Sequence, residues 1–534
     1  MILGDPKRWD ELAEAGIYGT VTLDEMLRRA ARARGEDIAV SDHAGNAATW
    51  SELDRKADRL ADFLLDLGLK QDDVVVVLSG ANLRSIVSLM GISRAGMIAM
   101  PLSPLVGALE AGAIAESANA RAIIADEQVG PCKTADTAAI AAFAAFNVRF
   151  LLGFGDMLPD GVIGLDEMLE GSIDAAGETS GALRGGRASD HVFVLTADGD
   201  DSNRFLAPRN HGQLAATAMP LALQGRISSA SVLATPILPT SLNGLSLLAC
   251  WLISSARLHF LAPWEPGDMV SGATEAEATH IALPGRLMAT VGEIPDDVTL
   301  IRMWRDTVDS NAAGDAHALD TASLGEAGLM VWSGETQRNH IPLGGLCLDG
   351  ETPPAILTPR IQGVVHKAEN AVEPGSLMRG PLCVRGAGTP VMGFPKDPTG
   401  QDRFVDNGFM LTALRGELVE ADGPKVRVLG SAGRTLKLGS MAFDPEAVDA
   451  LYSQIEGVED AAAIPVKHPV LGHVLTMAYT GDTTLSLKDV VAQLEASGIS
   501  AHKIPASIAH VEAILRDGDG RPARDKRALA QMAG

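Results

Sequence analysis

The chain has 534 residues, too many for one ordinary core at ~100–200 residues per domain. Its 44 basic and 68 acidic side chains give a formal net charge of −24, which excludes a long nucleic-acid surface because the phosphate backbone needs positive potential. Hydrophobic residues at 46% and charged residues at 21% exclude wholesale disorder.

The N-terminal MILGDPKRWDELAEAG is charged early and lacks an apolar h-region, so no secretory signal is expected. TWSELDRKADRLADFLLDLGL places Leu53, Ala57, Leu60, Ala61, Leu64 and Leu67 at helical spacing, with Thr49 or Ser51 as cap. DDVVVVLSG follows as a buried strand, ANLRSIVSLMGISRAG as a helix and MIAMPLS as a strand. LEAGAIAESANARAIIAD then reads as helix and strand, and HVFVLTADG resumes the pattern. Strands alternating with helices predict a parallel, helix-covered sheet. The apolar stretch 242–261 is broken by Asn243, Ser246, Ser254, Ser255 and Arg257. A spanning helix needs ~20 mostly apolar residues, so this stretch is a core segment and no membrane span is expected. From about residue 360, IQGVVHK, PLCVRG and KVRVLG sit between glycines and prolines as a β-rich subdomain, 360–430. Beyond the glycine-rich LGSAGR, DPEAVDALYSQIEGVEDAAAIPV, HVLTMAYTG, SLKDVVAQLEASG and IPASIAHVEAI form a small α+β unit, 434–534. Cys132, Cys250, Cys347 and Cys383 lie far apart with no C-x-x-C pair, so a reduced cytoplasmic setting fits and neither a disulfide framework nor a zinc site is expected.

In this order the elements resemble the adenylate-forming superfamily of acyl-CoA synthetases, aryl-CoA ligases and adenylation domains. THIALPGRLM, PLCVRGAGTPVMGF, DNGFMLTALRGELVEADG and VLGSAGRTLKLGSMAFDPEAVDAL carry the likeness across nearly the whole chain. It implies an α/β ligase fold, with a large domain over 1–430 and a small mobile one over 434–534. It also implies ATP, magnesium and CoA as ligands, with an acyl group as cargo.

The chemical positions depart from that pattern. The family's phosphate loop, roughly T-S-G-T-T-G-x-P-K-G, appears as TADGDDSNRF. Thr196 stays and Arg204 takes the lysine's place, but Asp198, Asp200 and Asp201 stand where a polyphosphate would lie. At ~4 Å and an effective dielectric near 20, each like-charge contact costs roughly 4 kcal/mol before screening. These three read as a solvated acidic loop, since D-G-D-D-S-N lacks the spacing of a calcium loop. Leu414 replaces the aspartate that holds the ribose, Ser431 and Gly433 replace the hinge's arginine and charged pivot, and Arg521 replaces the C-terminal lysine. Lys526 is that lysine displaced, if a short insertion shifts the tail.

Other positions persist. Glu335 falls at the magnesium-binding glutamate, Lys437 and Gly439 at the loop that approaches the thiol channel, and His211 after the phosphate loop. By resemblance Leu242, Asn243, Trp332 and Gly334 line the acyl pocket. The simpler structural readings are a turn residue for Glu335, a solvated charge for Lys437 and a helix-start or packing residue for His211. Loss of several groups that act on one transition state leaves little adenylation. Three readings follow: an acyl- or acyl-CoA-binding pseudoenzyme or noncatalytic protein partner, an active or chemically altered carboxylate–CoA ligase, and a pure interaction module. A homodimer is compatible with each.

Overall fold

The computed structural model describes residues 6–170, 191–199, 204–263, 265–308, 318–333, 339–342, 362–365, 379–395, 403–405, 408–420, 424–431, 435–438, 441–468, 471–517, 520–524 and 528. Two large sheets with helices between them organise residues up to 333. The first runs Ile163–Gly164, Phe150–Phe154, Ala122–Asp126, Val74–Leu78, Ile98–Leu102, Val192–Asp198, Phe205–Asn210, parallel until the antiparallel last pair. The second runs Leu329–Ser333, Leu319–Ser323, Thr299–Arg305, His280–Pro284, Val232–Thr235, Arg257–Phe260, Ile38–Asp42, Ala47–Thr49, with only its two outer pairs antiparallel.

The helix expected after Thr49 spans Trp50–Asp66, and Thr49 with Glu52 closes a reciprocal capping box. Its Leu53, Ala57, Leu60 and Leu64 are fully buried, and each leucine contributes roughly 1.5–3 kcal/mol by leaving water. Trp50 stacks on Trp251 of the helix Leu242–Ser254 at 5.1 Å between ring centroids. That helix is the core segment expected from its composition. Every residue of the helix Leu83–Arg94 except Arg84 is buried. Its Gly91 lies so close to the first helix that a Cβ would meet Leu60 at 2.8 Å. Arg94 at its end is neutralised by Asp54 at 2.6 Å and Asp58 at 2.9 Å, as a buried guanidinium requires.

An antiparallel sheet of His340–Pro342, Pro424–Ser431, Phe409–Glu420, Arg379–Arg385 and Gln362–Val365 forms the β-rich part, with Phe404–Val405 paired to Phe409–Glu420. Residues from 441 onward build a separate core. The strands Asp460–His468, Gly472–Thr480 and Ser507–His510 pack against the helices Pro445–Tyr452 and Leu487–Ala496 through Phe443, Val448, Tyr452, Leu475, Met477 and Leu494. No described helix is long and apolar enough to cross a membrane.

Candidate functional site

Asp198 belongs to a strand, not to a solvated loop. The antiparallel pair places it opposite Phe205, so residues 199–204 form the connection between two buried strands. Its carboxylate is 7% exposed and meets Arg305 at 3.1 Å. It also accepts the backbone N–H of Gly199 at 2.9 Å and of Glu326 at 3.1 Å. Burial pushes its pKa up, but Arg305 and Arg403 outweigh burial and hold it below the ordinary aspartate value. This corrects the solvated reading for Asp198. Asp200 and Asp201 lie outside the described residues.

Thr196 is also committed inward. Its hydroxyl donates to Glu326 Oε2 at 2.8 Å and accepts from Arg209 Nη1 at 3.0 Å. Arg209 is fully buried and also reaches the Glu326 carboxylate at 3.3 Å, while Leu242 N donates to Glu326 Oε1 at 3.3 Å. Burial and the neighbouring Asp198 raise the pKa of Glu326 against the pull of Arg209. Thr196, Arg209, Asp198, Glu326 and Arg305 therefore form one buried polar network at the end of the first sheet. Sequence reasoning missed Arg209, Arg305 and Glu326. The available signal was a charge inside an apolar strand run, as in FLAPRN and TLIRMWR, which demands a buried partner.

Asp198 and Arg305 border a cavity of about 40 Å³ together with Asp306, Arg403, Leu414 and Lys437. A water needs ~10–15 Å³ on this measure, so the space suits a few waters. Lys437 is not a solvated charge: it lies in the strand Leu436–Leu438 and forms an ion pair with Asp306 of the large unit. Leu414 is 1% exposed and packs in the core of the β-rich part. Its backbone N–H donates to Thr412 Oγ1 at 3.1 Å.

The remaining expected residues scatter. Arg204 does not point toward this cavity's lining; it pairs with Glu110 at 2.5 Å. Arg521 pairs at 3.0 Å with Glu446, both about half exposed, on the C-terminal unit. Leu242 is fully buried in the main core, and Asn243 Nδ2 donates to Trp304 O at 2.9 Å. Trp332 has its backbone in the strand Leu329–Ser333. Gly334, Glu335, Gly433, Gly439 and Lys526 lie outside the described residues. His211 starts the helix His211–Gln224 and its Nδ1 accepts Leu23 N at 3.1 Å, the packing role expected of it. Among the described residues no group of three or more His, Cys, Asp or Glu could hold a metal ion.

Comparisons with known proteins agree with this architecture. Residues 27–149 match the model of the AMP-binding enzyme family. A medium/long-chain-fatty-acid–CoA/3-oxocholest-4-en-26-oate–CoA ligase of Mycolicibacterium smegmatis is 22% identical over 521 residues, 90% of this chain and 91% of that protein. A naringenin synthase of Pestalotiopsis fici is 23% identical over 90% of this chain, which spans 18% of that longer protein. Among solved structures, the amide bond synthetase McbA from Marinactinospora thermotolerans superposes with a TM-score of 0.70 at 18% identity, covering 95% of this chain and 99% of that one. Apo MbtA of Mycobacterium smegmatis gives 0.64 at 20% identity, covering 99% and 98%. The fold is thus that of the adenylate-forming ligases. In sequence the chain is similar to acyl-CoA ligases and adenylation proteins at 22–23% identity, with the AMP-binding family match confined to residues 27–149.

Proposed function

We propose that this chain is a pseudoenzyme of the adenylate-forming superfamily, without ATP-dependent acid activation, that binds an acyl or acyl-CoA ligand. One observation carries the reading. The positions that resemble the phosphate loop, the ribose anchor and the thiol-channel loop, namely Asp198, Leu414 and Lys437, converge on a cavity of only about 40 Å³. That cavity is tied by Asp198 to Arg305 and by Asp306 to Lys437. The residues present do not fit a nucleotide: its phosphates would meet carboxylates already holding the local cations, and its ribose would meet a leucine. The hinge between 430 and 435 that the resemblance implies separates the large domain from the C-terminal one in this reading.

The ligand half of the proposal rests on a groove of about 480 Å³, within the range of small-molecule sites. Its apolar wall of Leu109, Ala113, Leu451, Ile455, Leu494 and Ile499 suits an acyl chain. Calorimetry with Mg–ATP is expected to give a dissociation constant weaker than about 1 mM. Acid-dependent pyrophosphate exchange is expected to be absent. Titration with a medium-chain acyl-CoA is expected to saturate. A micromolar ATP constant, or exchange at ordinary enzyme rates, would reinstate the working carboxylate–CoA ligase. Silence toward both ATP and acyl-CoA would favour the interaction module.

A further inference from the structure

The helix Ala108–Ser117 is rich in alanine, and its single acid in the first turn, Glu110, is 11% exposed at the side chain. A carboxylate so placed needs countercharge, and it receives it from both sides of the molecule. Arg204, at the start of the strand Phe205–Asn210, reaches Oε1 at 2.5 Å. Lys503 of the C-terminal unit reaches Oε2 at 3.1 Å, and the Ser500 hydroxyl donates to the same oxygen at 2.5 Å. Burial pushes the carboxyl pKa up, but Lys503 and Arg204 hold it below the ordinary glutamate value, with His502 adding to them.

Backbone contacts surround this cluster. Gly107 N donates to Ser500 Oγ at 2.9 Å, and Ala501 N donates to Leu105 O at 3.0 Å. Gly107 has a φ of −74°, open to any residue, yet a Cβ there would lie 2.3 Å from Gly498 O and 2.5 Å from the carbonyl carbon of Ile499. The obstruction is main chain, so no side-chain rotation relieves it. The glycine is needed for the approach of the two units and not for its own conformation.

We propose that Glu110 is a conformational latch, which fixes the C-terminal unit on the large unit by binding Lys503 and Ser500 while Arg204 braces it from behind. Docking and the state of Arg204 are therefore linked. While the latch is closed, the cation at the exit of the 199–204 connection is held by Glu110, and an anion that draws Arg204 away weakens docking by the same free energy. The latch does not depend on whether the chain activates acids, since none of its groups borders the small cavity, but Glu110, Arg204, Ser500 and Lys503 all border the groove of about 480 Å³ proposed for the acyl ligand.

Hydrogen exchange by mass spectrometry on the full chain tests it, with small-angle scattering alongside. Glu110→Gln removes the charge at constant shape, Gly107→Ala adds the obstructing Cβ, and Glu446→Gln removes an exposed pair that lies wholly within the C-terminal unit. Amides of 499–504 are expected to exchange about tenfold faster or more in the first two variants, because Glu110→Gln leaves the other charges of a buried cluster uncompensated and Gly107→Ala forces the main chain of 498–499 away. The radius of gyration is expected to rise with them. The strand Val74–Leu78 should stay protected in all three, and Glu446→Gln should match the unaltered protein. Unchanged protection of 499–504 in both Glu110→Gln and Gly107→Ala overturns the latch. So does loss of protection in Val74–Leu78 in those variants, which would make the two positions general folding determinants.

Discussion

Asp198→Ala is the substitution on which the buried-network description stands or falls. The carboxylate is 7% exposed, touches Arg305 at 3.1 Å and accepts two backbone N–H groups. Deleting one partner of a buried ion pair costs ~3–5 kcal/mol, and an orphaned amide adds ~1–3 kcal/mol. The two are not additive, because water entering the enlarged cavity solvates part of what is exposed. The expected loss is about 3–4 kcal/mol. Asp198→Asn keeps the shape and one acceptor and should lose about half of that. The double variant Asp198→Ala, Arg305→Leu removes both charges and should recover much of the single variant's loss. Urea unfolding followed by tryptophan fluorescence, at unchanged m-value, measures all three.

The acid limb gives a second readout. The folded pKa of Asp198 lies below its ordinary value of 3.8, so its contribution is full above that value and disappears as pH falls through the folded one. Asp198→Asn should flatten that limb. A loss within ~0.5 kcal/mol for Asp198→Ala, the range of a surface change, would refute the argument and return Asp198 to solvent.

Three further outcomes are expected. Native thiol labelling with mass mapping should modify Cys132 before the other described cysteines, because burial drives the Cys250 thiol far up and pushes Cys383 up to about 11. Asp126 accepts Ser79 Oγ, Gly80 N and Asn82 Nδ2 on one oxygen, leaves the other without a hydrogen bond, and has its pKa raised by burial; Asp126→Asn should therefore cost under ~1 kcal/mol in urea unfolding, against ~2–4 kcal/mol for Asp126→Ala. Protection of 499–504, corrected for intrinsic exchange, should hold from neutral pH down to the ordinary glutamate value of 4.5 and fall below it, because the Glu110 carboxylate must stay ionised for the latch to close.

The fold was legible because its signals are local. Period-3.6 leucines, a capping threonine with glutamate at the third helical position, and an uninterrupted valine run each act within a few residues. The site was legible only as a set of missing groups. A resemblance says that Asp198 stands in a phosphate loop, but its orientation is decided by Arg305, 107 positions away, and by the main chain of Glu326. Arg204 was legible as a cation in the lysine's place, and not as Glu110's partner, because the glutamate sits on a helix of another sheet crossover. Local pattern finds a charge; only tertiary structure finds its counter-ion.

That distinction changes what a repair of the ancestral chemistry must do. With all three loop aspartates solvated, glycine at each position would simply remove repulsion. With Asp198 buried, Asp198→Gly also strands Arg305 and two amides, so a rebuilt loop carrying it should unfold more readily than one that spares it. On the proposed reading, neither version is expected to restore nucleotide binding, because Lys437 remains bound to Asp306 and Arg204 to Glu110. Each cation a polyphosphate would recruit already has a carboxylate of this chain within contact distance. An incoming phosphate gains only the difference between two similar ion pairs, and it must separate the existing one first. The proposed loss of activation therefore resides in the pairing of the cations as much as in the residues that were replaced.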